Sequence, residues 1–216
     1  MKLFFTLFFL EIKSQFQQKA VLLFATLYIL LVSLTYPLMI GISLGVLQKG
    51  IVVFVLYASI LAQLLVVISV SDRASYDGAL VHWYLSKFSC ELFFLLRVVV
   101  SWLLFLIPCM CVIFLVTISY SLTLIQMGKL YLVVLCTLYL VSLFTHFSCM
   151  LLIVRGASGL LVTLILFPFL VPILVASGVF LNEGGIASVF LMVGYAISST
   201  AAILIFAKIA VLRSVE

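Results

Sequence analysis

The sequence predicts an all-α integral membrane protein with six transmembrane helices and an N-terminal amphipathic helix in the membrane interface. Three observations carry this. Of 216 residues, 68% are hydrophobic and only 8% are charged, where soluble domains are about 45–50% apolar and about 25% charged. A soluble domain of this size exposes too much of its surface to hide that apolar area, so the surrounding solvent must be lipid. The apolar residues fall into six runs, each near the roughly 20 residues that cross a bilayer core. The basic residues, finally, are spread unevenly between those runs, as they are when they set topology.

The elements follow in chain order. Residues 1–10 carry one Lys and then mostly apolar side chains, as a signal peptide does. No small-x-small cleavage site follows, because Glu11-Ile12-Lys13 comes next. The better reading is an interfacial helix over about 3–19. Phe5, Phe8, Phe9, Ile12 and Phe16 share one face, and Glu11, Lys13, Gln15, Gln17, Gln18 and Lys19 mark its wetter turns. Spans are expected at about 20–42, 51–70, 98–119, 130–154, 160–181 and 186–207. The connections are short, except for a polar stretch at about 71–97. With no internal repeat and no linker, residues 1–216 read as a single transmembrane domain.

Orientation follows from Lys and Arg. With both termini inside, the inner segments hold Lys2, Lys13, Lys19, Arg73, Lys87, Arg97, Arg155, Lys208 and Arg213, and the outer loops hold only Lys49 and Lys129. This bias supports an even number of spans. The net charge of +5 therefore reads as topology, and no basic-aromatic cluster points to nucleic acid. Cys90, Cys109, Cys111, Cys136 and Cys149 read as small packing residues, since their spacing matches neither a disulfide framework nor a metal site.

Function is expected where polarity departs from this background. The 71–97 segment carries Asp72, Arg73, Asp77, His82, Lys87, Glu91 and Arg97, with Leu80, Trp83, Tyr84, Phe88, Leu92 and Leu95 at near-helical spacing. Asp77-Gly78 punctuates it, and a short amphipathic helix is expected just after. Its plain reading is a solvated loop; its functional reading is a docking surface for a soluble partner. Pro168 and Pro172 in the fifth span, Pro37 in the first and Pro108 in the third remove backbone donors and read as kinks. His146 lies mid-membrane in the fourth span, where polar groups are functional candidates. It reads either as a ligand or proton relay, or as a hydrogen bond to a neighbouring helix. No span holds an acidic residue, which argues against a proton-coupled transporter or pump. There is no phosphate-binding G-x-x-x-x-G-K-[ST], no H-E-x-x-H and no Trp-rich loop to stack on a porphyrin.

The order of several short motifs carries the reading further. Glu11-Ile12-Lys13 precedes the first span, and Tyr36-Pro37-Leu38-Met39-Ile40-Gly41 closes it. Asp72 and Asp77-Gly78 with Leu80 follow in the inner segment. Ser101-Trp102 with Pro108, Arg155-Gly156, and Phe167-Pro168-Phe169-Leu170-Val171-Pro172 complete the series. Along nearly its whole length the chain resembles the cytochrome c maturation protein B family, the haem exporter B subunit, within the six-span permeases of type-2 ABC exporters. It departs from the family pattern at Val81, where a Glu is usual, and at Ser86-Lys87-Phe88-Ser89, where loop prolines are usual.

That resemblance implies the ABC-2-type permease fold and a subunit that is not itself an enzyme. It implies a homodimer working with two copies of a separate ATPase that binds ATP. It also implies a Trp-rich haem-handling membrane subunit and a small single-span subunit, so that haem is held by partners and no cofactor is bound by this chain. Asp72, Arg73, Asp77, Gly78 and Leu80 become the candidates for coupling to the ATPase. Hydrolysis would drive haem delivery, or release of the haem-loaded chaperone, from a bacterial inner membrane, with an organelle-encoded mitochondrial copy as the alternative. The competing readings are an ABC-2 permease for a drug, lipid or polysaccharide, and a membrane enzyme using His146.

Overall fold

In hydrocarbon a backbone can satisfy its own polar groups only as a helix or a closed barrel, and the chain takes the first route. The computed structural model describes residues 2–16, 19–40, 50–65, 89–155, 159–183 and 185–215. The helices in them are α1 (Lys2–Phe16), α2 (Lys19–Ile40), α3 (Gly50–Leu65), α4 (Cys90–Ser119), α5 (Leu124–Arg155), α6 (Gly159–Glu183) and α7 (Ile186–Val215). Among the described residues, Glu91–Ser119, Leu124–Ser148 and Ala187–Phe206 are long and apolar enough to cross a membrane. Ala20–Tyr36, Gly50–Leu65 and Pro168–Leu181 are shorter apolar helices. Large apolar side chains such as Phe24, Ile107, Leu124, Phe190 and Ile197 ring the outside. The chain is thus an all-α membrane protein.

α5 is the hub. It packs against α4, α6 and α7, while α1 and α2 pack against α4. Leu130, Val133, Val134, Leu138, Leu140, Val141 and Leu143 are fully buried. A helix apolar all round is one that others enclose. α7, by contrast, shows much of its surface to lipid.

The turn joining α4 to α5 is built from local sequence. Ser121 takes the left-handed conformation (φ 50°). Its N–H donates to the Ile118 carbonyl at 3.3 Å, and the Leu122 N–H reaches the Thr117 carbonyl at 3.1 Å. This is the double bond of a Schellman C-cap, with Leu122 buried beneath it. Thr123 then caps α5. The Gln126 N–H donates to Thr123 Oγ1 at 3.3 Å, and the Thr123 N–H donates to Gln126 Oε1 at 3.0 Å, a reciprocal capping box.

That turn aims Tyr120 at α2. Pro37 has no N–H to give the Ser33 carbonyl four residues earlier. The Tyr120 hydroxyl donates to that carbonyl instead, at 2.7 Å. Tyr36, next to the proline, is buried against Phe54 of α3 with ring centroids 4.8 Å apart. α2 continues as helix through Pro37, α4 through Pro108, and α6 through Pro168 and Pro172.

Two expectations change. α4 starts at Cys90, so residues 90–97 of the expected inner segment belong to the same helix as the third span. In α1 the polar residues do not face water alone: Gln15 is buried and Glu11 nearly so, both turned toward α4, while Phe9 and Leu10 are exposed. The physical reason is a charge on α4 that Glu11 can meet, described next.

Candidate functional site

Asp72, Arg73, Asp77, Gly78 and Leu80 lie outside the described residues, as do His82, Trp83 and Lys87. Of the 71–97 segment the structure describes Ser89 onward. Glu91 sits in the first turn of α4, where a carboxylate complements the helix dipole. Arg97, two turns on, places its Nε 3.1 Å from Glu11 Oε1, with both side chains about one-seventh exposed. Gln15 donates to the same carboxylate oxygen at 3.0 Å. α1 is therefore fastened to α4 by a largely enclosed ion pair. An enclosed pair loses more when one partner is removed than a surface pair does.

From Arg97 a series of polar contacts runs up the interior between α3, α4 and α5. The Ser101 and Ser142 hydroxyls share a hydrogen bond of 2.9 Å, and Ser142 also reaches the Val98 carbonyl at 3.4 Å. Gln63 Nε2 donates to the Leu138 carbonyl at 2.8 Å. The Cys109 thiol donates to Ser59 Oγ at 3.3 Å. Such contacts hold membrane helices together where apolar burial gives no preference for helix over lipid. The short side chains of Ser59, Ser101 and Ser142 also allow close approach.

His146 stands at the Arg97 end of this seam and is only 6% exposed. Its Nδ1 lies 2.9 Å from the Ser142 carbonyl, one turn back on its own helix. The expected bond to a neighbouring helix is thus not the one made. A carbonyl only accepts, so Nδ1 carries the proton. Nε2 is enclosed and has no hydrogen-bond partner. A porphyrin cannot reach an atom enclosed on every side, so this conformation does not offer His146 as an axial ligand. Among the described residues no cluster of three or more His, Cys, Asp or Glu could hold a metal ion.

A second polar point was not legible in the sequence. Phe144 of α5 stacks on Phe169 of α6 at 5.0 Å and lies 6.2 Å from Tyr195 of α7. The Tyr195 hydroxyl donates to the Phe169 carbonyl at 3.3 Å, in the turn of α6 between Pro168 and Pro172. Only the two prolines announced it.

The geometry defines a class first: a helical membrane protein whose interior polar groups join helices, with an enclosed ion pair fastening α1 to α4. A comparison with family models then gives the family. The CcmB protein family model matches residues 2–215, and the chain belongs to that family. No individually curated protein matches the chain. Membership makes it a permease component of the haem-exporter system of cytochrome c maturation, a transporter subunit working within an ABC-type complex.

Proposed function

We propose that this subunit converts ATP hydrolysis in a separate ATPase into motion across the membrane, driving haem delivery or release of the haem-loaded chaperone. The observation that carries the reading is the fastening of α1 to the inner end of α4 through Glu11 and Arg97. α4 has 30 residues, about 45 Å at 1.5 Å per residue, enough to cross the membrane with length to spare. Force applied to the segment before Cys90 would act on a stiff rod already joined to the interfacial helix. Asp72, Arg73, Asp77, Gly78 and Leu80 precede that rod and are the proposed contacts with the ATPase. The prolines at 37, 108, 168 and 172 are the proposed bends.

In this reading the chain is one domain of six spans with both ends in the cytoplasm of a bacterium, in the inner membrane. The three shorter apolar helices stand where the first, second and fifth spans are expected, which supports that number. It pairs as a homodimer with the ATPase, a Trp-rich haem-handling subunit and a small single-span subunit. ATP and haem are held by those partners.

The test is to purify the complex in mild detergent from its native membrane and identify the associated chains by mass spectrometry. The expected result is an ATPase, a Trp-rich multispan protein and a single-span protein, with ATPase recovery lost on Asp77→Arg. An intact complex with the ATPase but no haem-handling partner would overturn the haem reading. Loss of no partner on Asp77→Arg would overturn the assigned contact.

A further inference from the structure

We infer that α3, α4 and α5 enclose an internal hydration site, in which water donates hydrogen bonds to His146 Nε2 and, two turns along α5, to Gln63 Oε1. These are the enclosed side-chain N and O atoms without a hydrogen-bond partner among the described residues. Gln63 is 0% exposed and His146 6%.

The chemistry of the two atoms is the same. The Gln63 amide nitrogen must face the Leu138 carbonyl, because a carbonyl only accepts and the nitrogen is the end of the side-chain amide that carries hydrogen. That leaves Oε1 as an acceptor. The same rule fixes the His146 proton on Nδ1 against the Ser142 carbonyl, and burial of an unpaired charge is disfavoured, so the ring is neutral and Nε2 is an acceptor. Each atom therefore lacks a donor.

The hydroxyls at these levels have their protons engaged. Ser101 and Ser142 are bonded to each other and Ser142 approaches Val98. Thr137 donates to the Val133 carbonyl and Thr145 to the Val141 carbonyl. Ser59 donates to the Val55 carbonyl. Lipid tails carry no donor. Buried polar groups in folded proteins are satisfied by protein or by ordered water, and water is a donor small enough to lie between packed helices.

The placement is also right for a short file of waters. Leu138, Ser142 and His146 are spaced four residues apart, so their levels on α5 differ by about 6 Å and lie along one stripe. The Ser101–Ser142 pair stands between the two acceptor levels, and hydroxyl oxygens can accept from water as well as donate. The inference does not depend on the coupling role proposed above.

The experiment is water-edited solid-state NMR on the full-length chain labelled with ¹⁵N-histidine in lipid bilayers. The chain has two histidines, so His82→Gln assigns the signals, and the unsubstituted protein supplies the spectrum if that variant folds poorly. The expected result is a neutral ring protonated at Nδ1. Magnetisation should pass from water protons to its Nε2, and that transfer should be lost in D2O while the ring signal remains. A rigid ring with no transfer from water overturns the inference. So does a proton found on Nε2, since that nitrogen would then be a donor.

Discussion

Replacing Tyr120 with Phe removes one hydroxyl and leaves the ring. The Ser33 carbonyl it serves, 2.7 Å away, cannot be bonded by residue 37, which is proline. A buried backbone acceptor left unpaired costs about 1–3 kcal/mol. Hydrogen bonds measured inside membrane proteins average about 0.6 kcal/mol and reach about 1.7. Tyr120 lies at the C-terminal end of α4, so a loss of about 1 kcal/mol is expected, roughly a fivefold change in the folded-to-unfolded ratio. Pro37→Ala returns an N–H to residue 37, which can then bond Ser33 as any helical residue does. In that background Tyr120→Phe should cost little, giving a coupling energy of about 1 kcal/mol in a double-mutant cycle. Reversible unfolding in mixed detergent and SDS micelles, followed by tryptophan fluorescence, measures all four proteins. An equal loss in both backgrounds would refute the assignment of Tyr120 to the carbonyl that Pro37 leaves open.

Two further outcomes are expected. Arg97→Leu leaves Glu11 largely enclosed without its cation, which should destabilise the chain by roughly 2–4 kcal/mol. The charge-swapped pair Glu11→Arg with Arg97→Glu should recover part of that, read in the same unfolding assay; no recovery would mean that the ion pair does not join α1 to α4. Gly50→Ala would set a Cβ onto the Tyr36 hydroxyl and 2.9 Å from Tyr36 Cζ, and should cost roughly 1–3 kcal/mol. Adding Tyr36→Phe removes the hydroxyl and should restore some of that stability.

Legibility differed from element to element. The apolar runs were readable because hydrocarbon demands long uncharged stretches, and α1, α2, α3, α6 and α7 begin within a residue or so of the expected starts. α4 and α5 are the exceptions: they start at Cys90 and Leu124, not near Val98 and Leu130. Glu91 and Arg97 look like loop charges in the sequence, yet both sit on a helix that Arg97 can anchor through Glu11. The candidate site was only partly readable. His146 stood out as an intramembrane imidazole, but its partner proved to be its own helix. Ser59, Gln63 and Ser142 gave no signal, being ordinary small or polar residues in apolar runs, while Ser101 stood out only as part of a motif and Cys109 only as a packing residue.

The sequence by itself determined that this chain is helical and that it lives in lipid, because those depend on composition and on neighbours a few residues apart. The capping box of Thr123 and Gln126 and the proline at position 37 are equally local. The tertiary structure alone decided which face of each helix meets which neighbour. Helices as apolar all round as α5 carry no stripe to fix their rotation. Their rotation is set by a few long-range contacts: Glu11 to Arg97, Gln63 to Leu138, Ser101 to Ser142 and Tyr120 to Ser33. Each joins residues dozens of positions apart, and no local pattern encodes such a pairing.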